Sequence, residues 1–259
     1  MIYLYPIGGL GNILFQIASI YCLAKDNCDE LCLLNIEEKI KELDNVTNIS
    51  KDWSKMCHTR EYMYIFNRFH QSVGHDYVRI NYFNPPEILE YKPFCQYDGY
   101  FQNEKYFKHR RPEIIKLFSL DESHQPIINK YKHLFGNIGL HVRRAAISLG
   151  IDHIHPVQPM EYYNKAMSML PKDKQIIVSS DDMPWCKENF KGDRFVFLDE
   201  KDYIVMYVMA KMKYLIIANS TFSWWWAWLS ESEKIIAPIL WGGPTSRNKN
   251  VASKDWIQI

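Results

Sequence analysis

From Ile138 to Ala237 the sequence alternates short apolar runs with longer segments of helical periodicity, and few folds accept that alternation. Ile138 to Val142, Ile176 to Ser179, Phe195 to Leu198, Tyr214 to Ala218 and Ile235 to Ala237 have the continuous apolar character of strands buried on both faces. Between them, Pro159 opens a helix with Tyr163, Ala166, Met167 and Leu170 on one face. Trp185 to Phe190, Asp202 to Lys211 and Ser223 to Leu229 are the further helices. Strand and helix in strict succession predict a parallel sheet covered by helices.

The N-terminus repeats the theme. Met1 to Pro6 is β-rich and ends in Gly8-Gly9-Leu10-Gly11-Asn12, after which Leu14, Ile17, Ala18, Tyr21 and Cys22 fall on one helical face. Leu31 to Asn35 is the next apolar run, so the first 35 residues predict a βαβ unit whose loop opens at the carboxyl end of its first strand. From Glu37 to about Leu120 the pattern is irregular and aromatic, broken by Pro85-Pro86 and Gly99. The polar stretch from Glu122 to Lys130 marks a boundary, predicting an N-terminal lobe of residues 1–125, a C-terminal lobe of residues 126–259, and a cleft between two α/β lobes.

Charge excludes one class of function: 31 Lys and Arg against 30 Asp and Glu leave a formal +1, too little field for a generic nucleic-acid binder. No run approaches the roughly 18 apolar residues of a membrane span, and Met1 leads into Ile2-Tyr3-Leu4-Tyr5 rather than a basic leader. The expectation is a soluble, untargeted, cytoplasmic protein. The 6 cysteines form no C-x-x-C pair and are expected to be reduced and structural.

Four constellations bear chemistry. The glycines of Gly8-Gly9-Leu10-Gly11-Asn12 permit close backbone approach, so Gly9 and Gly11 can seat a phosphate at the following helix N-terminus, or they serve only the tight turn. His141-Val142-Arg143-Arg144 sets two guanidiniums at a strand end, where they clamp a pyrophosphate or pair with Asp181 or Asp182. Ser179-Ser180-Asp181-Asp182 offers carboxylates to a ribose, a base or a metal, or caps the Trp185 helix; as a metal site it lacks a completing His or Cys. Asn219-Ser220-Thr221-Phe222-Ser223-Trp224-Trp225-Trp226 is a hydroxyl-rich turn opening a tryptophan-loaded helix. Three consecutive tryptophans cannot share one helix face, so the expectation is that some pack the core, Trp225 and Trp228 by default, while others line the cleft or the opposite lobe.

In this order, and with Phe15-Gln16, Gly99 to Phe107, His155-Pro156-Val157, Tyr162-Tyr163, Pro238 and Trp241, these segments resemble the α-1,2-fucosyltransferases of glycosyltransferase family 11 over almost the whole chain. The resemblance implies a GT-B-like pair of Rossmann lobes, GDP-fucose as donor, a glycan acceptor, inversion at the anomeric carbon, and no cofactor or metal. It implies that Arg143 and Arg144 hold the diphosphate and, with Asn12 facing the cleft from the first lobe, serve the reaction. Ser220, Thr221 and Ser223 then line the phosphate and fucose side, and His141 and Asp181 lie near the nucleotide. One departure stands out: the family's Gly-Asp after the double arginine is Ala145-Ala146 here. Asp152, His153, His155 and Glu161 are the neighbouring candidates for a general base. Acceptor contacts are expected among Tyr62, Tyr64, Phe66, Tyr77 and Tyr82, unless those rings are core. The other functional readings are a GT-B transferase using another GDP-sugar and a silent relative that binds nucleotide sugar or glycan without turnover.

Overall fold

In the computed structural model, residues 1–36, 63–66, 68–72, 77–82, 86–120, 122–244 and 251–259 are described. They form two units, Met1–Asp121 and Glu122–Ile259, each built on a parallel sheet.

In the first unit, strand β1 (Ile2–Leu4) leads through the glycine turn into helix α1 (Leu10–Asp26) and back to β2 (Leu31–Leu34), parallel to β1. A single turn, α2 (Met63–Phe66), precedes the short strands β3 (His70–Ser72), β4 (Val78–Tyr82) and β5 (Cys95–Gly99). Their order is β3-β2-β1-β5-β4. Helix α3 (Arg111–Leu117) ends the unit, with Ile114 buried. α1 is apolar nearly all round, and its residues from Ile13 to Ile20 are buried, which is what a helix needs to cover a sheet whose central strand buries Ile2 and Leu4 completely.

The second unit begins with α4 (Gln125–Asn129) and its central strand β6 (Ile138–Val142). Next come α5 (Ala145–Ser148), α6 (Met160–Ser168), β7 (Ile176–Ser180), α7 (Met183–Asn189) and β8 (Phe195–Phe197). The chain continues through α8 (Asp202–Met209), β9 (Tyr214–Ile216), α9 (Thr221–Leu229), β10 (Lys234–Ala237) and β11 (Ile257–Gln258). The strands lie in the order β11-β10-β9-β6-β7-β8, every described pairing parallel. On one face Ile138, Leu140 and Val142 pack with Tyr163 and Ala166 of α6 and with Met183 and Cys186 of α7. The opposite face carries His141, whose ring meets Trp226 of α9 edge-on at 4.8 Å.

The expectation that the tryptophans divide between core and cleft is corrected here: Trp224, Trp225 and Trp226 are all 0% exposed. The reason is that α9 is covered on several sides. Trp226 faces the sheet through His141, and Trp224 packs on Trp256 at 5.5 Å and donates its indole N–H to the Val251 carbonyl at 2.8 Å. The C-terminal segment thus closes over a helix side that would otherwise be open. The five cysteines among the described residues, Cys22, Cys28, Cys32, Cys95 and Cys186, are free thiols, and Cys57 lies outside them. No helix among the described residues is long and apolar enough to cross a membrane.

Candidate functional site

The topology selects the site. In the second unit the chain runs outward through β6, β7 and β8 and then returns to the other side of β6 as β9. Where strand order reverses in this way, adjacent crossovers leave in opposite directions and open a crevice at the carboxyl ends of the strands. Those ends carry Arg143-Arg144 after β6 and Asn219-Ser220-Thr221 after β9.

Register explains the partners of the arginines. Val142 of β6 lies opposite Ser180 of β7, so the next residues on each strand, Arg143 and Asp181, emerge side by side. Asp181 Oδ2 accepts from Arg143 Nη1 at 2.7 Å and from the Ala145 backbone N–H at 2.9 Å, while Oδ1 accepts from the Arg144 backbone N–H at 2.7 Å. Asp182 points elsewhere: Oδ2 accepts from Arg144 Nε at 3.1 Å, and Oδ1 caps α7 through the Trp185 backbone N–H at 3.1 Å. Arg144 also lies over the Trp185 ring, 4.1 Å from its centroid. Both the ion-pair and the capping readings of the aspartates are therefore realised in the fold, and the guanidiniums are held in fixed orientations.

His141 is 4% exposed, and its Nδ1 has no hydrogen-bond partner among the described residues. Burial first, and the neighbouring Arg143 charge second, push its pKa down to about 3. The imidazole is neutral throughout the physiological range. Because the folded chain excludes a proton that the unfolded chain accepts near pH 6.5, this stabilisation is complete above about pH 6.5 and is lost progressively toward pH 3, at a limiting slope of about 1.4 kcal/mol per pH unit. Urea denaturation of the wild type between pH 5 and 6.5 should be steeper in pH than that of His141→Gln by nearly that slope. Equal slopes would contradict the buried, neutral histidine.

Ser220 occupies the N-cap position of α9 without a side-chain capping bond, and with Thr221 it remains partly exposed, so the start of the helix is open to solvent and its first N–H groups have no side-chain cap from Ser220. Ser223 differs: it is fully buried and donates to the Ala218 or Ser220 carbonyl, each at 3.3 Å. Sequence reasoning gave Asn219 no role, yet it ties three loops together. Its amide donates to the Pro156 carbonyl at 2.8 Å and the Trp241 carbonyl at 3.0 Å, and its Oδ1 accepts from Gln158 at 3.2 Å. The same loops meet where Gly243 abuts the His153 carbonyl so closely that a Cβ there would lie 1.9 Å from the oxygen. Of the candidate bases, His155 sits on this tied loop; burial first and the Arg143 charge second lower its pKa. The side chains of Asp152, His153, His155 and Glu161 all remain exposed to solvent.

In the first unit the equivalent reversal lies between β1 and β5. The glycine turn there is fixed by Gln16, which accepts from the Ile7 N–H at 3.0 Å and donates to the Ile7 carbonyl at 2.7 Å. Gly8 adopts φ +82°, where a Cβ would also crowd Asn12. Gly9 is exposed with open space beside it, Gly11 is buried within α1, and Asn12 Oδ1 accepts from Gln102 Nε2 at 2.8 Å across the strand ends. Among the expected acceptor aromatics, Phe66 is core, Tyr77 stacks on Tyr3 at 3.8 Å, and Tyr82 packs against Tyr97 and Phe101. Tyr62 and the Tyr64 side chain lie outside the described residues.

Two Rossmann-like parallel units with prepared strand ends define a GT-B-like glycosyltransferase fold. The fucosyltransferase NodZ from Bradyrhizobium shares it with a TM-score of 0.53 at 15% identity, over 88% of this chain and 92% of that one. The profile of glycosyl transferase family 11 matches residues 1–259. The O-antigen biosynthesis glycosyltransferase WbnK of Escherichia coli is 27% identical over 97% of this chain and 98% of its own length. An alpha-1,2-colitosyltransferase of Escherichia coli is 28% identical over 65% of this chain and 63% of its own length. The chain belongs to glycosyl transferase family 11.

Proposed function

We propose that the chain transfers fucose from GDP-fucose to a glycan hydroxyl, O2 of a galactose by preference, with inversion and without a metal. The observation that carries this reading is the pair of oriented guanidiniums, Arg143 and Arg144, at the strand-order reversal that also carries the partly exposed, uncapped start of α9. As the bond from the sugar anomeric carbon to the diphosphate breaks, negative charge gathers on the departing phosphate oxygen. Fixed cations and helix N–H groups stabilise that charge without reorganising. In this reading the C-terminal unit binds the nucleotide sugar, with His141 near the nucleotide and Ser220 and Thr221 on the phosphate and fucose side. The N-terminal unit, with Gly9 and Asn12 at its exposed turn, serves the acceptor. A second reading keeps the chemistry and changes the donor to another GDP-sugar, and the likeness to an alpha-1,2-colitosyltransferase favours it over a binding-only role.

GDP release measured with GDP-fucose and GDP-mannose against a panel of galactose-terminated acceptors separates these readings. The expected result is release that requires both GDP-fucose and a galactoside, yields an α-1,2 product by NMR, and persists in excess EDTA. Release with the other donor alone would establish the second reading. Saturable GDP-fucose binding with no release across the panel would contradict transferase activity, and loss in EDTA restored by Mn²⁺ would contradict metal independence.

A further inference from the structure

Asp181 is the most enclosed charge at the site: its side chain is 2% exposed, against 37% for Asp182. Both of its oxygens are occupied, Oδ1 by the Arg144 N–H and Oδ2 by the Ala145 N–H and Arg143 Nη1. A carboxylate so used has little left to offer a nucleotide. The same three donors show what it does. It closes the backbone turn that aims the double arginine, and it locks one nitrogen of the Arg143 fork.

We propose that Asp181 is a positioning residue for donor transfer, acting through Arg143 and the Arg144-Ala145 turn rather than by contact with the nucleotide. This assignment rests on the donor-site reading above. The orienting carboxylate comes from the neighbouring strand end, through the register that sets Val142 against Ser180. An asparagine at 181 has the same shape but one acceptor oxygen, so its NH₂ must face either a turn N–H or the guanidinium. Either the turn loses its tie at the Arg144 N–H, or Arg143 and the Ala145 N–H lose theirs, so the double arginine is no longer aimed as before while the fold keeps its volume.

Calorimetric titration with GDP of the wild type, Asp181→Asn, Arg143→Ala and the double variant tests this. Each single variant should weaken GDP binding by about ten- to a hundredfold, the scale at which loss of an orienting partner is felt. The double variant should be no weaker than Arg143→Ala by more than about twofold, because Asp181 has no separate route to the ligand. Losses that multiply, or an Asp181→Asn chain that is less stable yet binds GDP normally, would overturn the assignment. Should Asp181→Asn fail to fold, ¹⁵N NMR of the wild-type guanidinium signals, with Arg143 identified through Arg143→Lys, reads the same point. Resolved, slowly rotating Arg143 Nη protons are expected, and a freely rotating group would overturn the proposal. A wild type that binds no GDP is a different failure: it removes the donor-site reading, and this one with it, before any variant is made.

Discussion

Replacing Arg144 with alanine is expected to lower kcat/KM for GDP-fucose about thirtyfold or more, equivalent to about 2 kcal/mol of lost transition-state stabilisation. The side chain is held on two sides, by Asp182 at Nε and by the Trp185 ring beneath the guanidinium. Its terminal nitrogens have no partner among the described residues, so both remain available as a fork for a phosphate. Lysine at 144 keeps the charge but loses the planar fork and the stacking geometry, and should recover only a small part of the activity. Steady-state kinetics with varied GDP-fucose check both variants. Full activity in Arg144→Lys would mean that the site uses charge alone.

Ala146→Asp should reduce stability by about 2 kcal/mol or more and leave kcat unchanged or lower. Ala146 is 5% exposed in the short helix α5, and the backbone N–H beside it already donates to Asp181. A new carboxylate there is either buried without a partner or draws a guanidinium away from Asp181 or Asp182. Either outcome loosens the arginines, so GDP affinity should fall together with stability. Had this position lost a general base, restoring the acid would raise kcat by roughly 10²-fold to 10⁴-fold. Urea denaturation with parallel kinetics distinguishes the two. A large gain in kcat at unchanged GDP affinity would show that proton transfer limits the chain as it stands.

What the sequence reveals of this architecture follows burial. β6, β7 and β9 are buried parallel strands and stand out as apolar runs. β3 and β4 are sheet edges with mainly exposed residues: His-Gln-Ser has no apolar residue, and Val-Arg-Ile-Asn-Tyr alternates over only five residues inside an irregular aromatic stretch, so neither shows an apolar run. β11, two residues long, exists only because it pairs with β10. The arginines and the Ser-Thr turn are recognisable as strand-end chemistry, since residue type and position suffice. Their partners are not: that Asp181 turns to Arg143 while Asp182 turns to Arg144 depends on strand register. Asn219 looks like one more hydroxyl-turn residue until Pro156 and Trp241 are brought beside it. Gly243 carries no sequence signal, because only the approach of His153 makes a side chain there intolerable.

Calorimetric titration of the unmodified chain and of Arg143→Ala and Arg144→Ala with GDP bears most directly on the donor site. The expected result is saturable one-site binding by the unmodified chain, weakened about thirtyfold or more in Arg144→Ala and at least tenfold in Arg143→Ala, with both variants still folded by circular dichroism. Unchanged GDP affinity in both folded variants would contradict the placement of the diphosphate at the β6 strand end.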